Sequence, residues 1–202
     1  MEYYFRHLTS TSIGLTPLGN GICNAALVVL LVYCAYTDGT KARIYNKATF
    51  PAMGAGLVLH LIFGGSSWQT TFGWSLLGLA IGLGIQFVPW RLNLAKAGDV
   101  KLLMAVGALK GWAFCAFGFL YGAAIFGIII LPWLYKRGEL GAVGRNIKNY
   151  AHIALVTHTA DAPAPVVTKK FVPWGVGLSL GYGVALIVEL VLGQPIWWTW
   201  NF

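Results

Sequence analysis

The sequence is poor in charged residues, and above all in acidic ones. Only 10% of its 202 residues are charged, against about 25% in a typical soluble domain. A soluble domain of this length needs a polar surface that so few charges cannot supply. The chain is also 57% hydrophobic, which excludes a disordered protein. These proportions predict an integral membrane protein.

Several patterns that carry chemistry in other proteins are missing. The three cysteines lie in apolar stretches without a CxxC pair, so they are predicted to be buried apolar residues. No HExxH motif is present, and the serines have no evident histidine partner, which leaves a zinc or serine protease without support. The net charge of +8 is explained by basic loops beside a membrane, and not by nucleic-acid binding. We therefore expect no metal, no cofactor and no nucleic acid.

Apolar stretches predict an all-α fold of about six membrane-spanning helices, the fourth of them short. The predicted spans are 18–37, 50–65, 71–90, 99–109, 112–135 and 174–193, with a break at Lys110-Gly111. Twelve of the fourteen lysines and arginines fall in the predicted loops 38–49, 90–101 and 136–173. With six crossings these loops share one face, which the positive-inside rule makes cytoplasmic. We expect a single membrane domain over residues 1–202.

Two kinds of small or polar residue inside these spans have an ordinary explanation. His60 lies within the second span and is predicted to be a hydrogen-bonded packing residue. The glycine-rich faces at 54–56 and 78–82 favour close packing of the chain's own helices over the docking of another helix.

Two of the six acidic residues stand at predicted span ends on the cytoplasmic face. Asp38 ends the first span and Asp99 opens the short helix. Two carboxylates at a partly desolvated site can share one proton, as aspartic proteolysis requires. Helix dipoles favour ionised Asp99 and protonated Asp38. The alternatives are a turn at Asp38-Gly39 and an N-cap at Asp99, while Glu189 in the last span is expected to reach the interface.

Three segments resemble motifs of the type IV prepilin peptidases, membrane aspartic proteases of the GxGD type. They are Asp38 with Lys41-Ala-Arg43-Ile44-Tyr45-Asn46, then Ala97-Gly98-Asp99-Val100-Lys101-Leu102-Leu103, and finally Pro173-Trp174-Gly175-Val176-Gly177. The resemblance covers roughly residues 20–193. It implies that Asp38 and Asp99 are the catalytic pair, with the supporting residues Gly98, Lys101, Arg43 and Asn46. Two positions depart from the family: Tyr45 replaces a proline, and Lys96 replaces the first glycine of G-x-G-D.

The resemblance implies cleavage of the basic leader from prepilin or pseudopilin precursors, just before their hydrophobic N-terminal helix. The implied location is the cytoplasmic face of the bacterial inner membrane, with the precursor and membrane lipid as partners. The chain is similar to short, peptidase-only members found with tight-adherence pilus systems, so no separate methyltransferase domain is expected. Two other classes stay open. One is a small transporter or channel whose aspartates bind a cation or proton, and the other is a catalytically silent scaffold of pilus assembly.

Overall fold

The computed structural model describes residues 14–65, 68–91, 95–136, 138, 141 and 174–192, which consist of helices and their connections without any β-strand. The helices are α1 (Pro17–Lys41), α2 (Asn46–Phe63), α3 (Trp68–Arg91), α4 (Ala97–Lys136) and α5 (Trp174–Leu192). The predicted all-α fold is confirmed over these residues.

Four of these helices are long and apolar enough to cross a membrane. They are α1, α3, α5 and the Ala97–Pro132 part of α4, as expected of a multi-pass membrane protein. The predicted count of six crossings is not confirmed, because α2 does not meet the same criterion and the fourth and fifth predicted spans together make one membrane-length stretch of α4, with a kink at Gly111. Most of the predicted loop 136–173 lies outside the described residues.

Helix α1 has a defined beginning and end. Thr16 caps its N-terminus by accepting a hydrogen bond from the Gly19 amide at 3.2 Å, and Pro17 occupies the first turn, where its missing N–H costs nothing. At the other end the chain turns at Ala42, which has a left-handed φ of 54°. The Ala42 amide donates to the carbonyl of Asp38 at 3.0 Å. This places Asp38 in the last turn of α1.

Helix α4 is broken at the predicted position. Gly111 has φ 80° and ψ 178°, angles that glycine adopts without the strain a side chain would add. The break removes helical partners from the preceding carbonyl groups. Neighbouring helices replace them, because His60 Nε2 bonds the Leu109 carbonyl at 3.2 Å and the Ser75 hydroxyl donates to the Ala108 carbonyl. The prediction that His60 is a buried, hydrogen-bonded packing residue is confirmed.

The first half of α4, residues 97–110, forms the centre of the bundle. Most of its apolar side chains are buried, and six of them have no exposed surface: Leu102, Leu103, Ala105, Val106, Ala108 and Leu109. Glycines let α2 and α3 approach its backbone, since a Cβ on Gly56, Gly78 or Gly82 would collide with main-chain atoms of α4. These glycines pack the chain's own helices, as predicted, whereas Gly54 has no atom close to its missing Cβ.

A buried ion pair lies beside the break in α4. Lys110 Nζ is 2.8 Å from Glu189 Oε1, and their side chains are 4% and 12% exposed. Lys110 also donates to the side-chain oxygens of Asn24 at 2.9 Å and Asn20 at 3.5 Å. Glu189 is thus paired with Lys110, while its expected position at the interface stays a prediction. Pairing with an amine inside the bundle is a lower-energy solution for its carboxylate than lone burial at membrane depth.

Candidate active site

The structure brings Asp38 and Asp99 together at one end of the bundle. Asp38 comes from the last turn of α1 and Asp99 from the first turn of α4, and they are 2% and 3% exposed. The carboxylates are close enough to repel each other electrostatically. The positive charge of Lys96 attracts both carboxylates. Two buried carboxylates that repel each other can share one proton.

Asp38 faces the N-terminus of α5. Its carboxylate lies beside the backbone amides of Gly175 and Val176, which stabilise negative charge there. The Oδ2 atom is buried and makes no well-aligned hydrogen bond with the described residues. A buried acceptor that is left without a partner is rare and costly. This oxygen is therefore open to a hydrogen bond from a water molecule or a substrate.

Asp99 is fixed by the residue that precedes α4. The helix begins at Ala97, so Asp99 is its third residue and not the N-cap that the sequence also allowed. Its Oδ2 accepts a hydrogen bond from the Lys96 amide at 3.1 Å, and the Asp99 amide donates to the Lys96 carbonyl at 3.0 Å. This reciprocal pair resembles a capping box, in which the third residue reaches back to the N-cap amide. It holds the carboxylate toward Asp38.

Lys96 does not require the backbone freedom of the glycine that it replaces. Among the described residues, Ala42 is the only one other than glycine with a positive φ. The loop before Asp99 therefore accommodates a lysine without left-handed strain. Lys96 Nζ also donates to the Ala42 carbonyl at 3.1 Å, which links the loop before α4 to the end of α1.

Ile44 joins the three motif segments at the site. A Cβ on Gly98 would lie 3.0 Å from Ile44 Cβ, and a Cβ on Gly175 would lie 2.9 Å from Ile44 Cδ1. The same added atom on Gly175 would be only 2.8 Å from Asp38 Oδ2. The two glycines therefore provide the space in which Ile44 and the Asp38 carboxylate pack. Ile44 was not among the predicted site residues, although it is the one large aliphatic side chain in the basic segment 41–47.

The other predicted supporting residues lie on the segments that carry or follow the two aspartates. Lys101 Nζ donates to Asn46 Oδ1 at 2.8 Å, so α4 is linked to the first residue of α2. Arg43 is exposed on the connection between α1 and α2. Tyr45, at the position where the resemblance expects a proline, is the N-cap residue of α2. The Lys41 Nζ atom lies over the Tyr45 ring, 6.0 Å from the ring centroid.

Other sets of reactive side chains are not assembled in the described part of the chain. There, no group of three or more histidine, cysteine, aspartate or glutamate side chains could hold a metal ion. The cysteines are buried and unpaired, as predicted. The run from Gly177 to Gly181 has the Gly-x-Ser-x-Gly spacing of a serine hydrolase, but it lies inside α5. Ser179 is therefore not on the strand-to-helix turn that such a nucleophile needs.

Comparison with known proteins agrees with this geometry. The model of the type IV leader peptidase family matches residues 25–131, which is more than half of the chain. The chain belongs to the type IV leader peptidase family. The matched region contains both aspartates and ends before α5. No curated protein and no solved structure matches the chain.

Membership of this family makes the chain a peptidase by descent, and hence a hydrolase of peptide bonds. The membrane-length helices agree with a multi-pass location. The sequence prediction of a prepilin-peptidase relative is confirmed at the level of the family.

Proposed function

We propose that the chain is a membrane aspartic endopeptidase that removes the leader from type IV prepilin-like precursors. One observation carries the proposal. Asp38 and Asp99, from separate helices, are both buried and repel each other electrostatically, and Asp38 faces the N-terminal amides of α5. The family match supports the reaction class and includes both residues.

The two carboxylates act in a shared proton cycle. The ionised carboxylate accepts a proton from water while the water oxygen attacks the scissile carbonyl carbon. The protonated carboxyl group donates to the carbonyl oxygen and so stabilises its developing negative charge. When the C–N bond breaks, the amine nitrogen receives a proton from the site. Water is consumed, and the products are a new carboxylate and a new amine.

The helix ends at the site act on both aspartates. The helix dipoles of α1 and α4 favour protonated Asp38 and ionised Asp99. However, Asp38 also faces the N-terminal amides of α5, a neighbour that the dipole argument did not include. Both carboxylates thus lie near backbone N–H groups, so the pair is treated as a unit that titrates together.

The substrate class follows from the depth of the pair. Both aspartates are at ends of membrane-length helices, so a scissile bond just outside an apolar helix would meet them. The described lysines and arginines of loops 38–49 and 90–101 share this end of the bundle, which supports a cytoplasmic active site under the six-crossing topology. Because the sequence has no CxxC pair, we expect leader cleavage without methyl transfer.

A transporter whose ion binds at the broken helix is not supported, because the break in α4 is already occupied; the alternative in which Asp38 and Asp99 bind a cation or proton is separated from the peptidase by the cleavage test below. Broken membrane helices in transporters direct free carbonyl groups and helix ends toward a coupled ion. Here His60 and Ser75 bond the carbonyls before Gly111, and the Lys110 ammonium lies at that depth. A cation at this position would have to displace a lysine.

The test is cleavage of a co-expressed prepilin in membranes. Asp38→Asn and Asp99→Asn should each lower the cleavage rate by about a hundredfold or more, because each removes a proton-transfer group. Asp161→Asn is the matched control, since the sequence places that acid in the long loop, and it should cleave normally. A chelator should have no effect. If both site variants still cleave at the wild-type rate, the aspartates are structural and the proposed mechanism is wrong.

A further inference from the structure

Lys96 contacts both segments that carry the aspartates. Its backbone amide donates to Asp99 Oδ2 at 3.1 Å, and its side-chain ammonium group donates to the Ala42 carbonyl at 3.1 Å. Ala42 lies 54 residues earlier in the chain, immediately after α1. A single residue therefore connects the end of α1 to the start of α4.

The connection extends to the backbone of Asp38. The Ala42 amide donates to the Asp38 carbonyl at 3.0 Å, and Ala42 adopts its left-handed conformation there. Hydrogen bonds thus run from Asp38 through Ala42 and Lys96 to the carboxylate of Asp99. The hydrogen bond from Lys96 holds Ala42 in place, and Ala42 in turn holds the last turn of α1. The position of that turn determines the direction of the Asp38 side chain.

The Lys96 ammonium group also acts on both carboxylates through space. It attracts the negative charge of Asp38 and of Asp99. Lys96 is exposed, so its contacts add little to the stability of the fold. The separation of the two carboxylates matters for the reaction rate, because small displacements of reacting groups have large effects on rate.

We propose that Lys96 is a positioning residue that holds the Asp38 and Asp99 segments at their working separation. This role rests on the proposed peptidase function. It also explains how the chain accommodates a lysine at the first glycine position of the family motif: the lysine adds a tie across the site that glycine cannot make.

The experiment compares Lys96→Met, Lys96→Arg and Lys47→Met. Lys96→Met removes the ammonium group and keeps the backbone amide, whereas Lys96→Arg keeps a charged donor. Lys47 is an exposed lysine in the second position of α2, and its replacement is the matched control for loss of one positive charge nearby. Two quantities are measured: kcat and KM for precursor cleavage, and hydrogen exchange of peptides covering residues 38–46 and 95–101.

Lys96→Met should lower kcat about tenfold with KM unchanged, since a lost charge-assisted hydrogen bond corresponds to such a factor. Exchange should become faster in both peptides. Lys96→Arg should restore both quantities, and Lys47→Met should resemble the wild type. The inference is overturned if Lys96→Met leaves both quantities unchanged, or if Lys47→Met lowers kcat equally, because the effect is then one of general charge.

The two proposals fail in different ways. If wild-type protein does not cleave the precursor, the proposed function fails for that precursor, and the exchange measurement alone decides the inference. If wild type cleaves and Asp99→Asn does not, but Lys96→Met behaves as wild type in both measurements, the function stands and the role of Lys96 is wrong.

Discussion

The bundle buries acidic side chains at two sites, and their surroundings differ. Beside the break in α4, Glu189 is bonded to Lys110, and the same ammonium group is bonded to Asn24. At the other site, the charges of Asp38 and Asp99 repel each other, and the Asp38 Oδ2 atom has no well-aligned partner among the described residues.

The difference separates a structural site from a reactive one. A buried charge whose hydrogen bonds are satisfied holds helices together and has little capacity left for a ligand. A buried pair of like charges costs free energy, and proteins retain such pairs mainly at functional sites. The Lys110 site joins α1, α4 and α5, whereas the aspartate site is left available.

The largest effect on stability is expected from removing the ion pair between Lys110 and Glu189. Lys110→Met leaves the Glu189 carboxylate buried without its amine, which should lower the free energy of unfolding by about 3–5 kcal/mol. The measurement is thermal unfolding of the purified protein in detergent.

The double variant Lys110→Met with Glu189→Gln is the control. It removes both charges together, so it should recover a large part of the lost stability. If it is as unstable as the single variant, the ion pair is not what stabilises this region, and the contrast between the two sites is weakened.

The next effect concerns activity. Gly175→Ala puts a methyl group 2.8 Å from Asp38 Oδ2 and 2.9 Å from Ile44 Cδ1, so α5 or the carboxylate must move. We expect cleavage to fall at least about tenfold, because displaced catalytic groups lose rate steeply. Gly183→Ala in the same helix meets no atom within 4 Å and should cleave normally. Equal activity of the two variants would show that the packing at Gly175 does not matter for the reaction.

The smallest effect is the most direct test of the contrast. Asp99→Asn removes one charge from the repelling pair, so the free energy of unfolding should stay within about 1 kcal/mol of wild type or rise. Thermal unfolding under the same conditions as for Lys110→Met gives the comparison. A loss as large as that of Lys110→Met would place Asp99 among the structural residues.

The sequence predicted features that depend on local patterns. The break at Lys110-Gly111 was readable because a charged residue and a glycine interrupt a long apolar stretch. Asp38 and Asp99 were readable because acids are rare in this chain and these two stand at span ends. The structure places both pairs where the sequence indicated, while the catalytic role of the aspartates stays a prediction.

Contacts between segments far apart in the sequence could not be predicted from local patterns. Glu189 and Lys110 are 79 positions apart, and the sequence placed one near the interface and the other at a break between spans, with no local pattern that pairs them. Asp99 was also assigned as a possible N-cap, because the start of a helix is uncertain by one or two residues in a sequence. The role of Ile44 depends on the meeting of three segments, which no local pattern reports.

The packing of Ile44 limits which amino-acid substitutions the site can accept during evolution. Its side chain fills the space left by the missing side chains of Gly98 and Gly175, so the three positions share one small volume. A side chain gained at either glycine has to be matched by atoms lost at position 44. Substitutions at these three positions should therefore occur together. A relative with alanine at one glycine position should carry a residue smaller than isoleucine in the loop after its first aspartate.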